Sequence, residues 1–243
     1  FQDGVCFETD LERLSTFHRL GIRVIQPTYN RHNQLGDGCL EPVDGGLSAR
    51  GHEAVARMNA LGILVDLSHC GRVTAADAIR ASTRPVAFTH TGCAALADHP
   101  RHRTDAELRA VAERGGVTGI YVMPYLSGGH QPRADDVIRH LEHALKVAGE
   151  DHVSIGTDGT LSAVDLTPEY VANFAANVAR RQAAGIAAPH EYPDGYLFAS
   201  DLNTPRRFER LADLLSRRGH PDARIEKVLG ANLLRVFGTA WGH

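Results

Sequence analysis

Residues Ile63–His90 read ILVDLSHCGRVTAADAIRASTRPVAFTH. Two nearly continuous apolar runs, Ile63–Leu67 and Pro85–Thr89, flank a helical pattern over Val73–Ser82. Such runs predict strands covered on both faces, as parallel strands are. Strand, helix and strand in that order predict one crossover unit of a parallel sheet. His69 and His90 then follow the ends of their strands, where β/α folds carry ligands and catalytic groups.

Working outward, Ile22–Pro27, Val117–Val122 and Val153–Thr157 read as further strands, the last ending in Asp158. Helical patterns cover Asp10–Leu20, Ser48–Leu61, Asp105–Arg114 and Ala134–Ala148. Ser48 is cap-like, and Thr104 with Glu107 has the capping-box form. Beyond Thr157 the alternation stops. Pro168–Ala184, Pro205–Arg218 and Asp222–Phe237 read as helices, so 168–243 is a helical tail. Five strands and a tail fit either an open α/β sheet or an eight-stranded barrel whose first strands lie upstream. Two imidazoles and a carboxylate at three of the five strand ends are the donor types of a hydrolytic metal.

The chain holds 14 His, so most serve other ends. His18, His52, His140 and His143 lie in helical patterns and are expected at the surface or half-buried. His99 and His102 stand among Arg101 and Arg103, whose charge disfavours a metal. Cys70 and Cys93, beside or near the two strand-end histidines, read as small buried loop residues before extra ligands. The four cysteines have no C-x-x-C spacing, which predicts unpaired thiols in a reducing compartment.

At 243 residues the chain matches the ~250 of one β/α barrel, and 1–243 is expected as one domain. A net charge of −3 lacks the basic footprint of a nucleic-acid or anionic-membrane binder. No apolar run approaches the ~18 residues of a transmembrane helix. The chain opens on Phe1 within working sequence, so an upstream segment is expected. A cytoplasmic address is the default reading, and composition leaves a homodimer open.

Four segments together resemble the membrane (renal) dipeptidase family: Gly46–Cys70 (GLSARGHEAVARMNALGILVDLSHC), Pro85–Leu108 (PVAFTHTGCAALADHPRHRTDAEL), Asp151–Gly159 (DHVSIGTDG) and Lys227–Phe237 (KVLGANLLRVF). The resemblance runs from about Gly21 onward. It implies a (β/α)8 TIM-type barrel of the metal-dependent hydrolase kind, with a binuclear zinc site. In that register IRVIQP is strand four, His69 follows strand five, His90 strand six and Asp158 strand eight, and strands one and two, with most of three, precede Phe1. The implied activity is metal-assisted hydrolysis of dipeptides or related small carboxylated amides. His69 and His90 would be metal ligands, Asp158 the proton shuttle, and Arg101 the group holding the substrate carboxylate.

Three positions depart from the family. Its His-x-Asp metal motif is absent from these residues. Gln2 stands where a Glu bridges both metals, so one or two Zn2+ ions would meet an incomplete site. Tyr29 stands where a histidine contacts the reacting carbonyl. Two alternatives follow: a metal-poor barrel that binds a carboxylated ligand without hydrolysing it, and a mononuclear lactonase or phosphoesterase. No glycine-rich phosphate loop supports the latter.

Overall fold

The computed structural model describes residues 1–7, 9–160 and 162–242. Its centre is a five-stranded sheet, β1 (Val24–Ile25), β2 (Leu64–Asp66), β3 (Val86–Thr91), β4 (Val117–Ile120) and β5 (Val153–Ile155). The strands lie in chain order and every pairing is parallel. Sequential parallel order, with a helix in each crossover, is the arrangement of a β/α barrel. One more rung lies outside β1. The Phe1 backbone nitrogen donates to the Val24 carbonyl at 2.9 Å, and the Gln26 N–H donates to the Phe1 carbonyl at 2.9 Å. Gln2 is therefore level with Gln26.

The helices are α1 (Arg13–Arg19), α2 (Ala49–Leu61), α3 (Arg72–Ala81), α4 (Asp105–Glu113), α5 (Ala134–Ala148), α6 (Pro168–Ala183), α7 (Arg207–Arg217), α8 (Asp222–Glu226) and α9 (Asn232–Trp241). Local chemistry explains their starts. Ser48 accepts from the Gly51 N–H at the head of α2, and Thr104 and Glu107 close a capping box on α4, as their spacing predicts. Thr167 caps α6, with Pro168 at its first position, where the missing N–H costs nothing.

Most strands are shorter than their apolar runs. Pro27, which has no N–H, marks the limit of β1. β3 is the exception: it continues through His90 to Thr91, so His90 lies within the strand rather than after it. Its pairing with β4 shifts register between Phe88 and Thr91. The single helix expected over Asp222–Phe237 is broken. A π turn at Lys227–Ala231, with extended backbone at Gly230, separates α8 from α9.

Side chains alternate across each strand. Ile25, Val65, Val86 and Phe88 pack outward with Val55, Met58, Ala75 and Ala78 of α2 and α3. Leu64, Ala87 and Val117 face the other way, and α9 lays Val236 and Ala240 against them. One face of the sheet thus carries α9 at the strand starts. By the same alternation, Asp66 and Thr89 lie on that face nearer the strand ends.

Candidate metal and substrate site

His69 beyond β2, His90 near the end of β3 and Asp158 beyond β5 come together at one end of the sheet. One donor atom from each lies within 4.8 Å of the other two, the one such group of His, Cys, Asp and Glu among the described residues. The two imidazole centroids are 5.1 Å apart, and His90 Nε2 is 4.0 Å from Asp158 Oδ1. Asp158 has φ 53°, a left-handed conformation that costs a non-glycine residue of order 1 kcal/mol. Such strain gathers where surrounding structure holds a working side chain in place.

Both histidines are buried, and each engages one ring nitrogen. His69 Nδ1 lies 2.7 Å from Asn30 Oδ1, and His90 Nδ1 lies 2.8 Å from Thr89 Oγ1. Their Nε2 atoms are buried with no partner. Two orphaned imidazole nitrogens beside a carboxylate are costly unless something accepts their lone pairs. Burial pushes the His69 pKa well below the usual imidazole value, helped by Arg101, His90 and Arg103. Burial also lowers that of His90, against the pull of Asp158 and Asp66. Neutral imidazoles and a carboxylate fit a divalent cation with an open coordination position.

A cavity of about 200 Å³ adjoins this group, lined by Tyr29, Asn30, His69, Arg101 and Asp158. Arg101 is 2% exposed. Its Nε donates to the Ser68 carbonyl and its Nη2 to the His90 carbonyl, each at 3.3 Å. These bonds bind it to the backbone at Ser68 and His90 and not to Asp98 or Asp105. Tyr29 stacks on His69 at 4.1 Å between ring centroids. Burial raises its pKa, so the phenol stays protonated. Across the cavity, Arg181 of α6 pairs with buried Glu191 at 2.8 Å, and Glu191 also accepts from Tyr125.

Gln2 is exposed and is not among the cavity residues. Asp3 turns to other work, accepting from Asn33 Nδ2 at 2.7 Å. The cysteines are free. Burial pushes the Cys70 thiol up to about 11 and that of Cys93 up to about 12, and the Cys93 thiol donates to the His140 carbonyl. Neither joins the metal-ligand group. His140 corrects an expectation: it is buried, not at the surface, because its Nδ1 accepts from the Cys93 N–H and its Nε2 donates to the Leu126 carbonyl. His99 and His102 are likewise buried and bonded, to the Pro189 and Ala97 carbonyls.

Asp66, Thr89 and Asn30 join the site without a sequence motif to mark them. Asp66 was the visible signal: a carboxylate inside a strand buried on both faces must find donors. It collects five, from Gln26 Nε2, the Ser68 N–H and hydroxyl, and the Thr89 N–H and hydroxyl. Burial works to raise its pKa, but His90 and the Ser68 and Thr89 hydrogen bonds outweigh it and hold the carboxyl below the usual range. Arg103, fully buried, ties the same corner by donating to the carbonyls of Leu67, Ser68 and Cys70.

Comparison with known proteins agrees with this architecture. Residues 1–183 match the family model described as membrane dipeptidase, peptidase family M19. Dipeptidase verJ of Clonostachys rogersoniana is 30% identical, over 93% of this chain and 50% of that protein. An uncharacterized protein in the pqqA 5′ region of Klebsiella pneumoniae is 26% identical, over 97% of this chain and 78% of its own length. The crystal structure of an amidohydrolase from Pseudomonas aeruginosa superposes with a TM-score of 0.85 at 33% identity, covering 100% of this chain and 72% of that one. The chain spans about half the length of the curated relatives named as dipeptidases.

Proposed function

Since the chain belongs to the membrane dipeptidase family, we propose that the protein it represents is a metal-dependent dipeptidase whose cation is held by His69, His90 and Asp158. The observation that carries this reading is the pair of buried, unpartnered Nε2 atoms beside the Asp158 carboxylate. Zinc suits two imidazoles and a carboxylate, and it supplies Lewis acidity to the substrate carbonyl and to water.

The chain's own residues do the rest. Arg101 binds the substrate carboxylate; its Nη1 has no partner among the described residues, and its planar fork suits a carboxylate. Tyr29 keeps its phenolic proton and donates it in a hydrogen bond to the scissile carbonyl oxygen. Asp158 takes the proton from the attacking water at a carboxylate oxygen and passes it to the leaving amine. Substrates are dipeptides or similar small amides with a free carboxylate.

The test combines zinc titration with dipeptide hydrolysis for the wild type, His69→Ala, His90→Ala and Asp158→Asn. Both histidine variants should lose the ion. Asp158→Asn removes the one anionic donor, so it should weaken zinc binding, and at saturating zinc it should still lose roughly 10²–10⁴-fold in kcat. Wild-type metal stoichiometry and affinity in both histidine variants would overturn the site.

A further inference from the structure

Asp66 touches neither the cavity nor the donor atoms of the candidate site, yet hydrogen bonds lead from it to His90 one atom at a time. Its Oδ2 receives the Thr89 hydroxyl at 2.6 Å, and Thr89 Oγ1 lies 2.8 Å from His90 Nδ1. An ionised carboxylate only accepts. The Thr89 hydroxyl has one proton and spends it on Asp66, so toward His90 it can only accept. His90 must then carry its proton on Nδ1, leaving a bare lone pair on Nε2, the atom that is buried without a partner.

We propose that Asp66 and Thr89 are positioning residues that set the tautomer and ring orientation of His90 before any ion arrives. The inference rests on the metal-site reading above for its purpose, though not for its geometry. Three features make the device rigid. The remaining donors to Asp66 come from Gln26 beyond β1 and from Ser68 beyond β2, so the carboxylate gathers three neighbouring chain segments. The Ser68 hydroxyl, which donates to Asp66 Oδ1, also accepts the His90 N–H at 3.1 Å. The register shift between Phe88 and Thr91 falls at Thr89 and His90, and bulges re-aim side chains in this way.

That shift has made its own room. The Thr89 carbonyl oxygen lies 2.2 Å from where a Cβ on Gly119 would stand and 1.7 Å from where one on Gly156 would stand. Only glycine at both positions admits the carbonyl. His69 has a simpler counterpart: Asn30 Oδ1 accepts from its Nδ1 and leaves its Nε2 bare in the same way. One ligand is thus set by a neutral amide and the other by a charged relay.

The experiment reads the imidazole nitrogens of the metal-free protein by 15N NMR, together with zinc affinity by competition titration. It compares the wild type with Thr89→Val, which keeps the shape and removes the hydroxyl, and with Thr89→Ser, which restores it. Wild-type His90 should be the Nδ1–H tautomer. Thr89→Val should lose that preference and weaken zinc binding about 10–100-fold, the usual effect of removing a ligand's supporting partner. Thr89→Ser should recover both. If metal-free wild-type His90 carries its proton on Nε2, the proposal is wrong, whatever the variants do. It also fails if a folded Thr89→Val keeps wild-type tautomer and affinity. A wild-type Nδ1–H tautomer together with unchanged zinc binding in His90→Ala would leave the relay standing and overturn the metal-site reading instead.

Discussion

Asp158 shows what a single position can be made to bear. Its φ of 53° favours glycine, yet the site places a carboxylate there. Replacing it with Gly should therefore raise stability by about 1 kcal/mol, a few degrees in Tm for a chain of this size, while abolishing hydrolysis. Calorimetry beside an activity assay checks the opposed effects; a lower Tm would show that the side chain's contacts outweigh the backbone strain. The gathering of His69, His90 and Asp158 was legible in the sequence because each closes an apolar run, and the ends of parallel strands lie together at one end of the sheet. Asn30 and Thr89 were not. Asn30 reaches the His69 ring from 39 residues away, and Thr89 acts on its neighbour His90 only through the pairing that sets its hydroxyl against Asp66.

At the level of the strands, five apolar runs were readable as five parallel strands, but the bulge in β3 was not. Its traces were the glycines inside VTGIYV and VSIGTD. Glycine within a strand marks a bulge or a close backbone approach, and here both face the Thr89 carbonyl. Gly156→Ala should cost roughly 1–3 kcal/mol through overpacking, and because the atom displaced belongs to the residue holding His90, zinc affinity should fall with it. Urea denaturation and zinc titration on one preparation test this; full stability and full affinity together would mean that the bulge relaxes freely. The break between α8 and α9 was hidden for another reason: the apolar spacing of helix continues through Lys227–Ala231, and only Gly230 hints at the turn that redirects the chain.

For the molecule as a whole, the buried histidines set a limit on acid tolerance. Burial, partly offset by their hydrogen-bonded carbonyls, lowers the pKa of His99 and of His140 to about 4, from an ordinary 6.5. Unfolded imidazoles take up protons below pH 6.5 while the folded ones resist until about 4, so this stability is complete above 6.5 and drains away as pH falls through that window. Each group contributes of order 3 kcal/mol, and two together rival the whole stability of many domains. Urea midpoints measured from pH 7.5 to 4.5 should fall steeply below 6.5, and a flat profile would show that these rings find protons without unfolding. The composition showed 14 histidines but not which would be enclosed, since His140 lies on a helix whose buried stripe depends on what packs against it.

The seating of α9 against Leu64, Ala87 and Val117 also bears on the order of assembly. Contacts between residues 236–240 and 64–117 span about half of the chain or more, and loops of that length close slowly because their entropy is spent before any contact rewards it. Until they close, the inner surface of β2, β3 and β4 is wet. The crossover units can form from neighbouring residues alone, whereas the inner layer is completed only when α9 returns to it.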